Sequence, residues 1–373
     1  MKLSLHRSVG AVALIGALAL SLAACGSDNA TGTATTAPAA GASAAPELSG
    51  DLNGAGSSAQ ESAMSAWRAG FQATNPGANV NYDPVGSGGG RTQFLAGGVQ
   101  FAGSDSALSD DEITKSKTTC AGGQAYDLPV YISPIAVVFN LSGVKTLNLA
   151  PATIAGIFNQ KITTWDAAEI KADNPGVTLP ATKISPVNRS DDSGTTKNFT
   201  EYLVATATTA WPYPAAGVFP VAGGQAGNGT SGLIQAVQGG EGTIGYADAS
   251  KAGTLGQAKI KVGEAWVAHS PKGAAAVVDA SPRVTGRDKK DIAVKIDRTS
   301  AAAGTYPLVL VSYAVACSSY ADAKAGALVK GFLTYAASAE GQTAAASAAG
   351  SAPISDTLRT DVQAAIESIK AGA

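Results

Sequence analysis

Three short segments of this 373-residue chain combine glycine with hydroxyl side chains where a helix is expected to begin. They read GAGSS at 54–58, GSGGG at 86–90 and SGT at 193–195. The first turn of a helix leaves backbone N–H groups unpaired and carries partial positive charge, so it can hold an anion. Glycine lets the backbone approach closely, and serine or threonine adds a hydroxyl donor. Together the segments indicate a small-anion site, although such turns are also ordinary helix caps.

A cationic side chain precedes the third segment. Arg189 stands four residues before Ser193, and Asp191 lies between them. Arginine presents a planar fork of donors that matches an oxyanion, and Asp191 could hold that fork in place. The alternative is a structural Arg–Asp pair on a surface loop, which contributes little to stability. The nucleotide-binding fingerprint GxxxxGK[ST] does not occur in the chain.

The composition of the chain argues against several other functions. Charged residues are 14% of the chain and the formal net charge is −2, which excludes a basic nucleic-acid binder. With two histidines and three cysteines, neither a zinc cluster nor a Ser-His-Asp triad is expected. We therefore predict a protein that is not an enzyme and that uses no metal and no cofactor.

The N-terminal residues are predicted to be an export signal rather than part of the fold. Basic residues precede an apolar run at 9–22, which is the order found in secretory signal peptides. The residues LAAC at 22–25 resemble the lipobox of bacterial lipoproteins, which implies that Cys25 is lipidated and becomes the mature N-terminus. We predict a signal peptide at 1–24 and a flexible linker at 25–47. The alternative is a plain signal peptide with an incidental cysteine.

Export leaves a mature chain with two further cysteines. Removal of the leader takes away Lys2 and Arg7 and no acidic residue, so 24 basic and 28 acidic residues remain, a net charge of −4. An exported chain in which Cys120 and Cys317 remain is a fair candidate for one disulfide bond. Two buried free thiols are the alternative, because the sequence does not show whether their Cα atoms approach closely enough.

The segments are expected to be positioned by an open α/β sheet. Short apolar strands alternate with amphipathic helices from about residue 51 onward. Met64, Trp67 and Phe71 are spaced for one buried helix face, and the apolar run at 128–141 is typical of a buried strand. A length of 373 residues exceeds what one core usually covers, so two lobes are expected.

The order of these motifs resembles the substrate-binding protein of the bacterial phosphate-specific ABC transporter. The resemblance rests on the three segments, on FAGSDS at 101–106, on RSDDSGTTKNFT at 189–200, and on GNG at 227–229 followed by GTIGY at 242–246. It extends over about 52–369, nearly the whole body of the chain. It implies an α/β, two-lobed periplasmic-binding-protein fold of the Venus-flytrap type, with the ligand in the cleft between the lobes.

The resemblance also implies which residues contact phosphate. Ser58 and the backbone N–H of Ala59 would donate from the first segment, and Ser87 from the second. Arg189, oriented by Asp191, would supply the positive charge. The remaining ligands would be Ser193, Gly194 and Thr195 of the third segment, and Asp105, which would accept a hydrogen bond from a protonated phosphate oxygen.

A carboxylate at position 105 has a consequence for selectivity. Facing an anion, Asp105 is costly unless that anion donates a proton. Phosphate keeps a proton near neutral pH and sulfate does not, so Asp105 is expected to reject sulfate. Two positions depart from the family pattern: Ala59, where some members have an aromatic residue, and Asp192, where glycine is common. An inward-pointing Asp192 would weaken anion binding, and a solvent-facing one would do little.

The resemblance and the leader together predict how the chain works. Lobe one is expected at 48–130 plus 305–373 and lobe two at 131–304, joined by two crossing strands. Closure about a hinge would desolvate the phosphate, which is then delivered to the permease subunits of an ABC importer. We expect a monomer, lipid-anchored to the outer face of the bacterial cell membrane, with no nucleic-acid partner.

Three alternatives stay open at this point. A phosphate-ester hydrolase could use Ser58 or Ser193 as its nucleophile, but His269 lies far from these segments in sequence and no base or metal cluster accompanies them. A binding protein for another oxyanion, such as sulfate, molybdate or an organic phosphate, is the second, and Asp105 argues against the fully deprotonated ones. A phosphate sensor or surface antigen without a transport role is the third.

Overall fold

The computed structural model describes residues 48–372. The predicted signal peptide at 1–24, the lipidation site Cys25 and the linker at 25–47 lie outside the described residues. The strands are β1 (Gly50–Gly56), β2 (Ala78–Asp83), β3 (Phe101–Ser104), β4 (Ala125–Asn140), β5 (Thr146–Leu149), β6 (Ser185–Arg189), β7 (Gln225–Gly227), β8 (Thr243–Asp248), β9 (Gly256–Val262), β10 (Ala265–Val267), β11 (Val309–Cys317), β12 (Ser319–Tyr320) and β13 (Lys370–Ala371). The helices are α1 (Glu61–Thr74), α2 (Ser87–Leu95), α3 (Asp110–Thr119), α4 (Pro151–Phe158), α5 (Ala168–Asp173), α6 (Gly194–Thr206), α7 (Gly229–Gln238), α8 (Pro271–Ala280), α9 (Ala323–Ala337), α10 (Ala339–Ala349) and α11 (Asp356–Glu367).

One path of hydrogen-bonded strands runs through the body. Its order is β2-β1-β3-β11-β4-β8-β6-β7, and β9 pairs with β4, β5 and β10. Strands β1, β2 and β3 are mutually parallel, and β11 is antiparallel to both β3 and β4. Parallel neighbours end at the same edge of a sheet, so the loops that follow β1 and β3 lie side by side.

Strand β4 joins the two halves of this sheet. Residues 125–134 pair with β11, and residues 135–140 pair with β8. All of β4 except Asn140 is buried, which accounts for its apolar and β-branched composition. The buried strand predicted at 128–141 is confirmed, and it begins at Ala125, earlier than predicted.

Helices form where the sequence supplies a buried face or a cap. Helix α1 buries Met64, Trp67 and Phe71, which confirms the face predicted from their spacing. Helix α6 follows Ser193, whose side chain accepts a hydrogen bond from the backbone N–H of Thr196. This serine cap explains why the helix begins immediately after the Ser-Gly-Thr turn starts.

A long irregular segment at 281–308 connects α8 to β11 and contacts both α11 and β11. Arg283 Nη2 lies 2.7 Å from Asp361 Oδ2 of α11. The backbone N–H of Val294 donates to the hydroxyl of Tyr313 in β11 at 3.1 Å. The segment, most of which falls in the range predicted for lobe two, therefore contacts elements assigned to the range of lobe one.

A disulfide bond joins Cys120 to Cys317 in the structure, with Cα atoms 5.1 Å apart. Cys120 directly follows α3, and Cys317 is the last residue of β11. Both cysteines are buried. The bond therefore links two parts of the core that are separated by 197 residues of sequence.

Candidate functional site

The starts of α1, α2, α6 and α7 contact one another at the ends of β1, β3 and β6. The backbone N–H of Gly88 in α2 donates at 3.0 Å to the carbonyl of Asp192, just before α6. The backbone N–H of Thr230 in α7 donates to Ser58 Oγ, just before α1, at 2.9 Å. Because each of these helices begins here, the partial positive charge of four N-termini is gathered in one region.

Asp105 lies in this region, directly after β3. Its Oδ1 accepts hydrogen bonds from Ser57 Oγ and from Ser312 Oγ, the latter at 2.7 Å. Its Oδ2 accepts a hydrogen bond from Thr195 Oγ1 of α6 at 2.9 Å. Asp105 is only 3% exposed, so these hydroxyls take the place of water. Asp105 is therefore the acceptor in all three of these hydrogen bonds.

Two hydroxyls of the region accept a backbone hydrogen bond and so keep their own proton available. Ser87 Oγ accepts from the backbone N–H of Asp105 at 3.1 Å, and Ser193 Oγ accepts from a backbone N–H of α6 at 3.2 Å. Among the hydrogen bonds of residues 48–372, neither hydroxyl donates to a protein acceptor. The backbone N–H groups of Gly194 and Thr195 likewise make no hydrogen bond within that range. The start of α6 therefore offers several donors to an anion.

Ser58 and Ala59 make contacts of their own. Ser58 Oγ lies 3.0 Å from Thr230 Oγ1 in addition to accepting the backbone N–H of that threonine. The backbone N–H of Ala59 donates to Ser57 Oγ at 3.1 Å. Ser58 therefore connects the first segment to α7, whereas the N–H of Ala59 is used within its own turn.

Arg189 supplies a buried cation held by its predicted partner. Its Nε donates to Asp191 Oδ1 at 2.7 Å, and its Nη2 donates to Asp191 Oδ2. Arg189 is 5% exposed. Asp191 Oδ1 also accepts the backbone N–H of Gly229 at 3.1 Å, which ties the pair to the start of α7. The bidentate pair fixes the plane of the guanidinium and uses Nε and Nη2, so Nη1 lies outside the pair.

Asp192, the departure from the family pattern, has a cationic neighbour. Its Oδ2 lies 3.6 Å from Arg91 Nη2, and its side chain is 46% exposed. Arg91 is also paired through Nε with Glu112 Oε1 at 2.8 Å. Because the carboxylate of Asp192 faces both solvent and a guanidinium, we expect it to have little effect on a bound anion.

Glycine at position 194 allows α6 to lie directly against the start of α2 and the loop after β3. A Cβ at this position would lie 2.5 Å from Ser87 Oγ and 2.7 Å from Asp105 Cβ. The same approach is bridged by Asn198, whose Nδ2 donates to the carbonyl of Asp105 at 2.6 Å and to that of Gly194 at 2.9 Å. Any larger residue at 194 would push α6 away from Asp105.

Aromatic side chains support the first turns of α6. Phe199 stacks on Tyr246 with ring centroids 4.1 Å apart and planes at 7°. The hydroxyl of Tyr246 lies 2.8 Å from Thr196 Oγ1. Burial raises the pKa of Tyr246 to about 12, so the ring stays neutral beside the helix start. This packing gives α6 a rigid base.

A second buried polar cluster fixes the segment 281–308 to β4. Arg287 Nη1 lies 3.0 Å from Oδ2 of both Asp127 and Asp291. Arg287 Nη2 also donates to the carbonyl of Leu108. Burial, and next the charge of Asp291, raise the pKa of Asp127 to about 8. Burial also raises the pKa of Asp291, and this effect outweighs the opposing hydrogen bonds from the backbone of Asp127 and from Arg287.

A cleft of about 560 Å³ adjoins Asp105 between α6, the loop 106–110 and the segment 281–308.

In the part of the chain that the structure describes, no helix is both long and apolar enough to cross a membrane. Across the same residues, no group of His, Cys, Asp and Glu side chains is arranged to hold a metal ion. His269 pairs with Gln257 Oε1 through Nε2 at 2.6 Å.

Comparison with known proteins identifies the family. A PBP superfamily domain matches residues 32–340 of the chain. Phosphate-binding protein PstS 3 of Mycobacterium leprae is 36% identical over 342 residues, which cover 89% of this chain and 90% of that protein. The chain belongs to the PstS family of phosphate-binding proteins.

Further PstS relatives and solved structures agree with this assignment. Phosphate-binding protein PstS 2 of Mycobacterium tuberculosis is 35% identical over 378 residues, covering 97% of this chain and 99% of that protein. A high-affinity periplasmic phosphate-binding protein, PfluDING, solved with bound phosphate, superposes with a TM-score of 0.70 at 25% identity over 84% of this chain and 93% of that one. The α/β, two-lobed periplasmic-binding-protein fold predicted from the sequence is therefore confirmed.

Three residues of this candidate site were not singled out from the sequence. Ser57 stands next to the predicted Ser58, and Thr230 directly follows the GNG motif at 227–229. Ser312 is a polar residue inside the buried strand β11, and that interruption of an apolar run is the signal that could have identified it.

Proposed function

We propose that this PstS-family chain binds inorganic phosphate around Asp105 and delivers it to the permease of an ABC importer. The observation that carries the proposal is one buried carboxylate, Asp105, set among hydroxyl and helix N-terminal donors close to α6. Many donors around a single acceptor fit an anion that retains one proton. The names of the relatives and the phosphate bound to PfluDING support the same ligand.

Each predicted residue has a part in this proposal. The guanidinium of Arg189 supplies the charge, while Asp191 keeps its plane fixed. The available hydroxyl protons of Ser87 and Ser193 point to donor roles, and Oδ2 of Asp105 accepts a hydrogen bond from the protonated ligand oxygen in addition to the one from Thr195. The proposed phosphate ligands are Ser58, Ala59, Ser87, Asp105, Arg189, Ser193, Gly194 and Thr195. To bind phosphate, the N–H of Ala59 would exchange its hydrogen bond to Ser57 Oγ for one to the ligand.

Capture is proposed to occur by closure of lobe one (48–130 plus 305–373) on lobe two (131–304). Hydrogen bonds such as Thr195 to Asp105 and Thr230 to Ser58 support this division, because each joins one proposed lobe to the other. Closure removes water from the anion and strengthens the remaining hydrogen bonds in a region of low dielectric. No covalent bond is made or broken in this cycle.

The contacts of the two candidate nucleophiles support a role without turnover. The hydroxyl of Ser58 pairs with that of Thr230, and Ser193 caps α6. His269, the histidine of the described residues, pairs with Gln257. A phosphate-ester hydrolase needs a base beside its nucleophile, and neither serine has one among its hydrogen-bond partners in residues 48–372.

We further propose that Cys25 is lipidated and that the linker at 25–47 tethers a monomeric body at the outer face of the bacterial cell membrane. Two acyl chains would provide firm attachment, so Cys25→Ser is expected to release the protein from the membrane fraction. Retention of that variant in the membrane fraction would argue against lipidation. Light scattering on the released body is expected to give the mass of one chain.

Titration calorimetry on the exported body tests the central proposal. Phosphate and arsenate are both expected to bind, because both keep a proton near neutral pH and have nearly the same shape. Sulfate is expected to bind far more weakly, because it cannot donate to Asp105. An absence of phosphate binding heat at micromolar protein would overturn the proposed function.

A further inference from the structure

We propose that Arg298 is a positioning residue for closure of the phosphate site, acting through Asn198. This inference rests on the proposed function, because the site that Arg298 positions is the proposed phosphate site. Arg298 itself lies outside the proposed set of phosphate ligands. It belongs to the irregular segment 281–308, and it is 6% exposed.

The guanidinium of Arg298 links the beginning of β11 to α6. Its Nη1 donates to the carbonyl of Pro307 at 3.3 Å and to that of Val309. Its Nη2 donates to Asn198 Oδ1, and to Glu201 Oε2 at 3.0 Å. One side chain therefore connects a strand that pairs with β3 and β4 to the helix that carries Gly194 and Thr195.

Contact with Arg298 determines which way the amide of Asn198 faces. Rotation of an asparagine side chain exchanges the positions of its amide oxygen and nitrogen. A guanidinium only donates hydrogen bonds, so it can pair with the amide oxygen and not with the amide nitrogen. Arg298 therefore holds Oδ1 on its own side and directs Nδ2 to the other. There Nδ2 donates to the carbonyls of Asp105 at 2.6 Å and Gly194 at 2.9 Å. Asn198 is 3% exposed, so water does not compete for these bonds.

The bond from Asn198 to Asp105 joins the two proposed lobes next to two proposed ligands. Without Arg298, the amide of Asn198 is free to rotate, and its bonds to Asp105 and Gly194 weaken. The closed arrangement would then lose stability relative to the open one, and phosphate would leave faster. Within the described residues, Nε of Arg298 is buried without a partner, and so is Nε of Arg287, which makes the two arginines a matched pair for comparison.

The experiment compares Arg298→Met with Arg287→Lys in the exported body. Arg287 belongs to the same segment and is also buried, but it pairs with Asp127 and Asp291 rather than with Asn198. Calorimetry gives the phosphate Kd of folded protein, and stopped-flow release gives the dissociation rate. Arg298→Met is expected to raise the Kd by about tenfold or more, mainly through faster dissociation, because a buried hydrogen bond is lost on each side of Asn198. Arg287→Lys is expected to leave the Kd within about twofold of the parent, because Arg287 contacts neither Asn198 nor any proposed phosphate ligand.

Two further measurements keep the outcome decisive. If Arg298→Met does not fold, Asn198→Ser replaces it, because Arg298 then keeps its carbonyls and Glu201, and the same rise in Kd is expected. Hydrogen exchange without phosphate is expected to be faster at 194–198 in Arg298→Met than in the parent. An unchanged Kd in the folded variant, or an equal rise for Arg287→Lys, would overturn the inference. If the parent itself does not bind phosphate, the proposed function fails, and unchanged exchange at 194–198 would then overturn the inference separately.

Discussion

The hydroxyl of Ser312 donates a hydrogen bond of 2.7 Å to Oδ1 of Asp105, although 207 residues separate them. Ser57 donates to the same oxygen, so Oδ1 is held from two different elements. Oδ2 instead faces Thr195 of α6. The carboxylate thus has one oxygen held by Ser57 and Ser312 and the other held by Thr195, which is itself a proposed phosphate ligand.

Replacing Asp105 by asparagine is expected to reduce selectivity more than affinity. Asp105→Asn removes the negative charge that repels sulfate, and its amide can still pair with the ligand. We expect a modest loss for phosphate, a gain for sulfate, and a fall of about tenfold or more in the ratio of their affinities, since one unpaired buried acceptor costs about 1–3 kcal/mol. Calorimetry with both anions measures the ratio, with the exposed Asp361→Asn as the control. An unchanged ratio would show that Asp105 is not the selectivity element.

Removal of the buried guanidinium is expected to weaken phosphate binding strongly. Charge-assisted hydrogen bonds contribute about 1.5–3 kcal/mol each, so Arg189→Ala is expected to raise the phosphate Kd at least about a hundredfold. Part of that loss comes from the carboxylate of Asp191, which is left unpaired. The double variant with Asp191→Asn is therefore expected to recover some affinity in the same titration. Arg283→Ala, at an exposed pair, serves as the control. Binding that survives Arg189→Ala would contradict the proposed site.

A methyl group at position 194 is expected to block closure without unfolding the protein. Gly194→Ala would place Cβ 2.5 Å from Ser87 Oγ, across the boundary between the proposed lobes. Overpacking typically costs about 1–3 kcal/mol, so the phosphate Kd is expected to rise about tenfold to a hundredfold. The melting temperature without phosphate is expected to stay close to that of the parent, because the lobes can open. Gly232→Ala is the control, because its Cβ would meet its nearest atom at 3.5 Å.

The disulfide is expected to stabilise the fold rather than the site. Its cysteines are 197 residues apart, and closing a loop of that order in the unfolded chain is worth about 5 kcal/mol in the chain-entropy treatment. Cys120→Ser with Cys317→Ser is therefore expected to lower the free energy of unfolding by several kcal/mol in urea titrations. The phosphate Kd of the folded variant is expected to match that of the parent. A variant as stable as the parent, or two free thiols by mass spectrometry without reductant, would contradict this expectation.

The pair of Asp127 and Asp291 is expected to make stability depend on pH. Burial raises the pKa of Asp127 from 3.8 to about 8, so the folded state holds a proton that the unfolded state releases. The free energy of unfolding therefore contains a contribution that is fully present below about pH 4 and is lost as the pH rises to about 8. Asp127→Asn is expected to remove that contribution. Urea titrations from pH 5 to 9 give the free energy of unfolding at each pH, and its slope against pH is expected to differ between the two proteins. Equal slopes would contradict it.

Much of the fold could be predicted because its signals are local. The buried face of Met64, Trp67 and Phe71 follows from helical spacing, and the buried strand β4 from its continuous apolar run. Helix α10 has no such signal, because its sequence AEGQTAAASAA is mostly alanine without an apolar stripe. The short strands β5, β7 and β10 are equally hard to predict, because they depend on the partners they pair with.

The sequence by itself determined the parts of the site that lie close together along the chain. Arg189 and Asp191 are two residues apart, and Ser193 caps the helix that follows it, so short spacing decides their contacts. Only the tertiary structure decided the partners of Asp105, which come from 48, 90 and 207 residues away. Ser312, for example, reaches Asp105 because β11 is inserted between β3 and β4. Strand order arises from packing of the whole chain, which no local pattern of residue types encodes.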